Sequence, residues 1–337
     1  MKRLFFTFIV LFIVSVLVVF ASCSNGEKLG KPIGVAVEFT DHAACAYIAQ
    51  EKGYFDAAGL NLSSYESYMT GTALAAALAR GDIQVAYICL APAISAYANG
   101  GVKLKIVSGT HKYGYGLAVN PDRIKTIADL EQPGISIGCV EAGSAADILI
   151  QKIIDKYNLD RGKISNNIQR MNPPKQLLAI KAGKLDAVCL PEQWATMAEN
   201  YGFKMLLTAK DVWPGMQGSV MIVKEELLNS SPEIVKSLVE ISQKATTLVS
   251  EQPAEAADIM ARQLQSAGEK VFPTEVADTA KQLQITSQTM MKSMDRLEYT
   301  TKIDTNIVQE TIDYMASLGY IKNTFKAEDI LDLRFLK

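Results

Sequence analysis

The feature that most restricts this 337-residue chain is its alternation of short apolar strands with helices that stop at a glycine. Residues 33–37 (Ile-Gly-Val-Ala-Val) predict a first strand. Asp41 can cap the helix that follows, which carries Ala44, Tyr47 and Ile48 on one face and stops at Gly53. Residues 60–65 predict a second strand, and Thr70-Gly71-Thr72 opens an alanine-rich helix that ends at Gly81. The unbroken apolar run at 83–90 is a strand of the fully buried kind, Pro92 starts another helix, and 104–107 is a fourth strand. Strands separated by helices imply an α/β architecture with largely parallel sheets.

The same grammar then returns. Residues 134–140 predict a strand, and Gly143-Ser144 opens a helix bearing Ile148, Leu149, Ile153, Ile154 and Tyr157. A helix over 176–182 stops at Gly183 before a buried strand at 185–190. Residues 78–86 and 180–188 share one pattern: helix end, glycine, polar residue, buried strand. This predicts two similar α/β lobes, the first from 31–118 and 219–337, the second from 119–218. The extended segments 115–119 and 218–223 are the expected connections. Past Ser230 the pattern is helical, with Ser231-Pro232-Glu233 as a strong start, and this tail is expected to return over the first lobe.

Composition fits this picture and narrows the chemistry. Apolar residues make up 49% and charged residues 21%, as in a folded globular chain long enough for two cores. The net charge of -2 leaves no basic excess for a phosphate backbone, so no nucleic-acid partner is expected. Two histidines, His42 and His111, are poor material for a histidine-rich metal site or a catalytic relay, and no metal is expected.

The first residues read as an address. Lys2 and Arg3 precede an apolar run from 4 to 20, and Ala21-Ser22-Cys23 follows. This is the pattern of a secretory signal over 1–22. The 20–23 ending resembles a bacterial lipobox, with Cys23 as the lipidated mature N-terminus and 23–30 as a polar, glycine-containing tether. The chain is then expected outside the cytoplasmic membrane, moored by acyl chains. Cys45, Cys89, Cys139 and Cys189 are even in number and could pair in an oxidising compartment, but they lie in apolar segments without metal-ligand spacing and read better as small buried residues.

In α/β sheets, ligands sit beyond the carboxyl ends of the strands. Those loops are 38–42, 67–72, 89–92, 141–144 and 191–194. If the lobes face each other, these segments converge on one cleft. Thr70-Gly71-Thr72 and Gly143-Ser144 each place a small hydroxyl residue beside glycine at a helix start, where free N–H groups and the helix dipole attract an anion. Simple helix capping is the better account of each on its own; their coincidence at equivalent places in two lobes points to ligand binding. His42, in a first helical turn, would stay neutral and could donate one hydrogen bond. Tyr113, Tyr115, Trp194 and Trp213 could wall a pocket or serve the core. No phosphate loop, nucleophile elbow or zinc-protease motif is present, so no catalytic residue is assigned.

Residues 42–55 (His-Ala-Ala-Cys-Ala-Tyr-Ile-Ala-Gln-Glu-Lys-Gly-Tyr-Phe) with Ala58-Gly59-Leu60 resemble the opening of the nitrate/sulfonate/taurine, or thiamine-precursor-like, family of ABC-transporter solute-binding proteins. The stretch from Gly71-Thr72-Ala73 through Gly81-Asp82-Ile83 to Ala91-Pro92-Ala93, residues 127–130 and the Gly143-Ser144 helix start carry the same resemblance, over about 31–260. It implies a type II periplasmic-binding fold: two α/β lobes with a hinge and an interlobe cleft, and C-terminal helices on the first lobe. It implies a monomer that captures a small organic or oxyanionic solute by closure and delivers it to an ABC permease and its ATPase. No enzyme activity and no cofactor are implied. The implied ligand contacts are His42, Thr70, Gly71, Thr72, Leu90, Ala91, Gly143, Ser144, Glu192 and Gln193. Two departures stand out: Cys89 where members often have glycine, and 190–194 (Leu-Pro-Glu-Gln-Trp) where they often have Trp-Glu-Pro. A carboxylate such as Glu192 suits an amine or hydroxyl donor better than a bare oxyanion. The rival readings are a pyrimidine-synthase-like enzyme on the same fold, which would use His42, and a ligand-sensing subunit of a membrane receptor.

The address itself can be tested. Cys23→Ser is expected to move the protein from the detergent phase to the aqueous phase on phase partitioning; a variant still in the detergent phase rules out the lipid anchor.

Overall fold

The computed structural model describes residues 29–272 and 285–336. The expected leader over 1–22, the lipid site Cys23 and most of the tether lie outside the described residues. Eleven strands among those described form two sheets. They are β1 (Leu29–Glu38), β2 (Leu60–Tyr68), β3 (Val85–Cys89), β4 (Leu104–Tyr113), β5 (Tyr115–Val119), β6 (Ile137–Cys139), β7 (Ile168–Arg170), β8 (Ala187–Pro191), β9 (Lys204–Thr208), β10 (Gln217–Lys224) and β11 (Leu297–Tyr299).

The first sheet runs β11-β4-β10-β3-β1-β2 and the second β7-β6-β8-β5-β9. In each, three strands are parallel: β2-β1-β3 in one and β7-β6-β8 in the other. Beside each trio lies an antiparallel strand from the far side of a crossing. β10 pairs antiparallel with β3 and β4, and β5 pairs antiparallel with β8 and β9. The two lobes therefore share one plan, as the repeated helix–glycine–strand pattern predicts. All five residues of β3 and of β8 are buried, so these central strands need apolar side chains on both faces. Cys45, Cys89, Cys139 and Cys189 are buried and unbridged, although Cys139 and Cys189 are register partners on β6 and β8.

The chain changes sheets earlier than the sequence pattern suggests. β5 pairs only within the second sheet, so 115–118, expected in the first lobe, belong to the second. The return lies between β9 and β10, so 217–218 belong to the first sheet. The reason is local. Tyr113 (φ 65°) and Gly114 (φ 84°) both adopt left-handed backbone, which turns the chain within two residues. A strand pattern running from 104 to 119 does not reveal such a break. At the other end, Leu29 and Gly30 begin β1 instead of the tether.

The C-terminal helices cover the first lobe. Pro232–Glu251 and Pro253–Val271 both pack on helix Ala44–Glu51, with a buried stripe that includes Ile234, Leu238, Ile241, Ala245 and Leu248. The tail also reaches the second lobe. Helix Ser287–Met294 packs on helix Glu192–Glu199, and helix Thr305–Ser317 packs on Leu90–Ala98 of the first lobe. From that last helix, Glu310 pairs with Lys152 at 2.9 Å, and Tyr314 bonds Asp155 at 2.5 Å and packs on Trp213.

Gly114 leaves no room for a side chain. A Cβ there would lie 2.5 Å from His111 Cε1 and 2.8 Å from His42 Nε2, on a backbone that disfavours any side chain. Gly114→Ala is expected to cost at least about 1–3 kcal/mol in urea unfolding; an unchanged midpoint would show that the crossing is slack.

Candidate functional site

The loops at the carboxyl ends of the parallel strands do converge. Glu38 ends β1, Thr70 follows β2, and Cys89 ends β3 on the first lobe. Ser144 follows β6 and Pro191 ends β8 on the second. Thr70 caps helix Gly71–Arg80 by accepting the Ala73 N–H at 3.2 Å, and Ser144 caps helix Ala145–Lys156 by accepting the Asp147 N–H at 3.3 Å. Between them lies a cavity of about 20 Å³, room for roughly one water. Its walls include Glu38, Thr70, Gly71, Thr72 and Cys89 from the first lobe, and Tyr115, Val140, Ser144, Ala145 and Pro191 from the second. Both helix N-termini thus point into the interlobe space, and the lobes are drawn together over it.

Of the residues singled out in the sequence, Thr70, Gly71, Thr72 and Ser144 line this cavity. Gly143 stands beside it in left-handed backbone (φ 79°), its N–H donating to Asp147 Oδ2 at 3.0 Å. Leu90 and Ala91 are buried at the start of helix Leu90–Ala98, and their neighbours Cys89 and Pro92 line the wall instead. The structure relocates the remaining three. His42, Glu192 and Gln193 do not face the cavity; they join the lobes to each other behind it.

That junction centres on one carbonyl. Gly114 O accepts from His42 Nε2 at 2.6 Å and from the Glu192 N–H at 2.8 Å. Because the carbonyl can only accept, Nε2 carries a proton. Burial, with His111 packed at 4.2 Å between ring centroids, holds the His42 pKa well below its usual range. Gln193 Oε1 accepts the Asp41 N–H at 2.7 Å, a direct bond between the lobes. Asp41 is fully buried and takes hydroxyls from Thr40 at 3.1 Å and from Ser293. Burial pushes its carboxyl up to about 6. Glu192 meets Arg296 of the C-terminal segment at 3.0 Å, and Arg296 also holds Glu199. Burial pushes the Glu192 carboxyl up to about 7 despite that partner.

Sequence reasoning placed Glu38 in the right loop without singling it out. The signal was available: an acidic residue at the carboxyl end of an apolar parallel strand has nowhere to point except into the cleft. Cys89 and Tyr115 bond one another, the tyrosine hydroxyl donating to Sγ at 2.7 Å across the lobes. Trp194 and Trp213 are core residues. Among the described residues, no group of three or more His, Cys, Asp and Glu side chains is arranged to hold a metal ion, and no helix is long and apolar enough to cross a membrane.

The pattern of the NMT1-like family matches residues 31–265. The chain belongs to the NMT1-like family. Solved structures with the same fold include an alkanesulfonate-binding protein of Xanthomonas axonopodis bound to MOPS, 15% identical with a TM-score of 0.71 over 90% of this chain and 99% of that one. The periplasmic nitrate-binding protein of Synechocystis PCC 6803 is 14% identical, with a TM-score of 0.70 over 90% of this chain and 86% of that one. Among curated sequences, a nitrate import ATP-binding protein of Synechocystis is 25% identical over an alignment of 244 positions that covers 66% of this chain and 36% of that protein. The chain therefore spans about a third of that relative's length. The architecture common to family and neighbours is the two-lobed periplasmic-binding fold that the topology shows.

The junction makes a prediction about pH. The native Glu192 carboxyl keeps its proton up to about pH 7, whereas an unfolded glutamate loses it near 4.5. Folding takes up a proton between these values, so the stability tied to Glu192 is present below about 4.5 and is lost as pH rises to about 7. The stability difference between wild type and Glu192→Gln is expected to turn against the wild type by up to about 3 kcal/mol across that window. A difference independent of pH would mean that Glu192 is ionised throughout.

Proposed function

We propose that this protein is the extracytoplasmic solute-binding component of an ABC importer, anchored through Cys23. It captures a small solute by closing its lobes and hands it, unaltered, to a permease driven by an ATPase. The observation that carries the reading is the interlobe cavity itself, walled by a helix N-terminus from each lobe and by the strand ends of both sheets. Closure is useful as a signal because the permease can distinguish a closed, loaded form from an open one. A solute favours closure only by contacts that both lobes make at once, and the walls of this cavity come from both lobes. The nitrate and sulfonate binders with the same fold, and membership of the NMT1-like family, support the same class of work.

The enzyme reading needs a free histidine at the cleft. His42 donates to Gly114 O, its Nδ1 lies 3.8 Å from Cys89 Sγ, and it is not part of the cavity wall, which favours binding without chemistry. Partners are then the solute, the permease with its ATPase, and the membrane through acyl chains, and the protein works as a monomer.

Native mass spectrometry of protein purified from its own cells is the direct test. A solute that leaves unchanged on denaturation, and raises stability by about 2.7 kcal/mol when re-added at a hundredfold excess over its Kd, is the expected result. Recovery of a chemically converted product in its place would sink the receptor reading.

A further inference from the structure

We propose that the C-terminal tail carries a clasp that holds the lobes closed, with Tyr320 as the positioning residue that engages only when the two lobes meet. The proposal rests on lobe closure as read above and holds whatever the solute is.

The arm of the clasp belongs to the first lobe. Helix Thr305–Ser317 packs on helix Leu90–Ala98. Past it, the Tyr320 carbonyl accepts from Asn99 Nδ2 at 2.7 Å, and Phe325 packs on Tyr97 with ring centroids 4.8 Å apart. Farther on, the Asp332 N–H donates to Ile106 O of β4 at 2.9 Å. The chain is thus tied to the first lobe on both sides of Tyr320.

The Tyr320 side chain reaches the other way. Its ring lies on Gly143 of the second lobe, where a Cβ would stand 3.7 Å from Tyr320 Cγ. Its hydroxyl donates to Asp147 Oδ2. Asp147 is fully buried, accepts the Gly143 N–H at 3.0 Å and pairs with Arg170 at 2.6 Å. Two turns along the same helix, Asp155 accepts the Tyr314 hydroxyl at 2.5 Å. Between them Lys152 lies 4.2 Å from the Tyr314 ring centroid and 2.9 Å from Glu310. One helix of the second lobe therefore meets one arm of the first along a seam.

That helix begins at Ser144, which walls the cavity. When the lobes part, the helix leaves with the second lobe and the arm stays with the first, so the seam breaks. Glu310 and Asp155 are each 47% exposed, and their contacts add little. The Tyr320 bond ends on a buried, arginine-paired carboxylate and carries most of the clasp. A contact made only in the closed form shifts the balance toward closure without touching the solute. The clasp sets how long a captured solute is held, while the cavity lining sets which solute it is.

Alkylation of the native thiols by iodoacetamide at pH 8, followed peptide by peptide in the mass spectrometer, tests the proposal. Cys89 lines the cavity and becomes accessible when the lobes part, whereas Cys45 is buried on the helix behind and reports general unfolding. The labelling rate follows the population of the open form. In the wild type Cys89 is expected to react faster than Cys45. Tyr320→Phe leaves Asp147 its arginine and its amide, and is expected to speed Cys89 about tenfold with Cys45 unchanged. Tyr314→Phe, at the exposed end of the seam, is expected to speed Cys89 about twofold. An unchanged Cys89 rate in Tyr320→Phe, or an equal rise at Cys45, overturns the clasp and leaves lobe closure standing. A wild-type Cys89 no faster than Cys45 shows that the lobes do not part, and removes closure and clasp together.

Discussion

The structure depends on how the Gly114 carbonyl is satisfied. The chain leaves the first sheet at Tyr113 and enters the second at Tyr115, so the peptide between them belongs to neither ladder. A buried carbonyl without a partner would cost about 1–3 kcal/mol. This one takes a ring N–H from His42 at the head of the first lobe's opening helix, and a backbone N–H from Glu192 at the head of a second-lobe helix. One acceptor thereby fixes the relative position of three elements. It also holds a proton on His42 Nε2, so that nitrogen is not a free group in the cleft.

The cleft follows from that arrangement. With the lobes held by the crossing, the strand carboxyl ends of both sheets face one another. The helices that follow point their N-termini into the same space. Capping by Thr70 and Ser144 uses one amide at each helix start, and Glu38 and Asp147 use others. The electrostatics of the cavity is therefore set by side chains that stabilise the fold. Capping and ligand binding are not competing explanations for these turns, because the same residues do both kinds of work on different atoms.

The C-terminal segment adds a further restraint. Arg296 reaches Glu192 and Glu199, Lys292 reaches Glu199, and Tyr320 reaches Asp147, each from the tail to the second lobe. Lys292 is half exposed, so its pair with Glu199 is individually weak. Tyr299 and Ser293 meanwhile bond Asp41 on the first lobe. A tail that grips both lobes near the hinge limits how far they can part, which a cover confined to the first lobe would not do.

Much of this was legible in the sequence. The strands at 33–37, 60–65 and 83–90, the capping residues Thr70 and Ser144, and the glycines ending the helices are local features. Apolar periodicity, capping preference and left-handed backbone act over a few residues, so the amino-acid order determines them. What only the tertiary structure decided is which side chains share a neighbourhood. Nothing near position 42 announces that His42 will meet Gly114, or that Glu192 will meet Arg296 more than a hundred positions later. Residues from 115 to 118 looked like a continuation of the first lobe because a two-residue reversal leaves the strand pattern intact. Burial of polar groups is decided by long-range packing, and packing is a property of the assembled lobes.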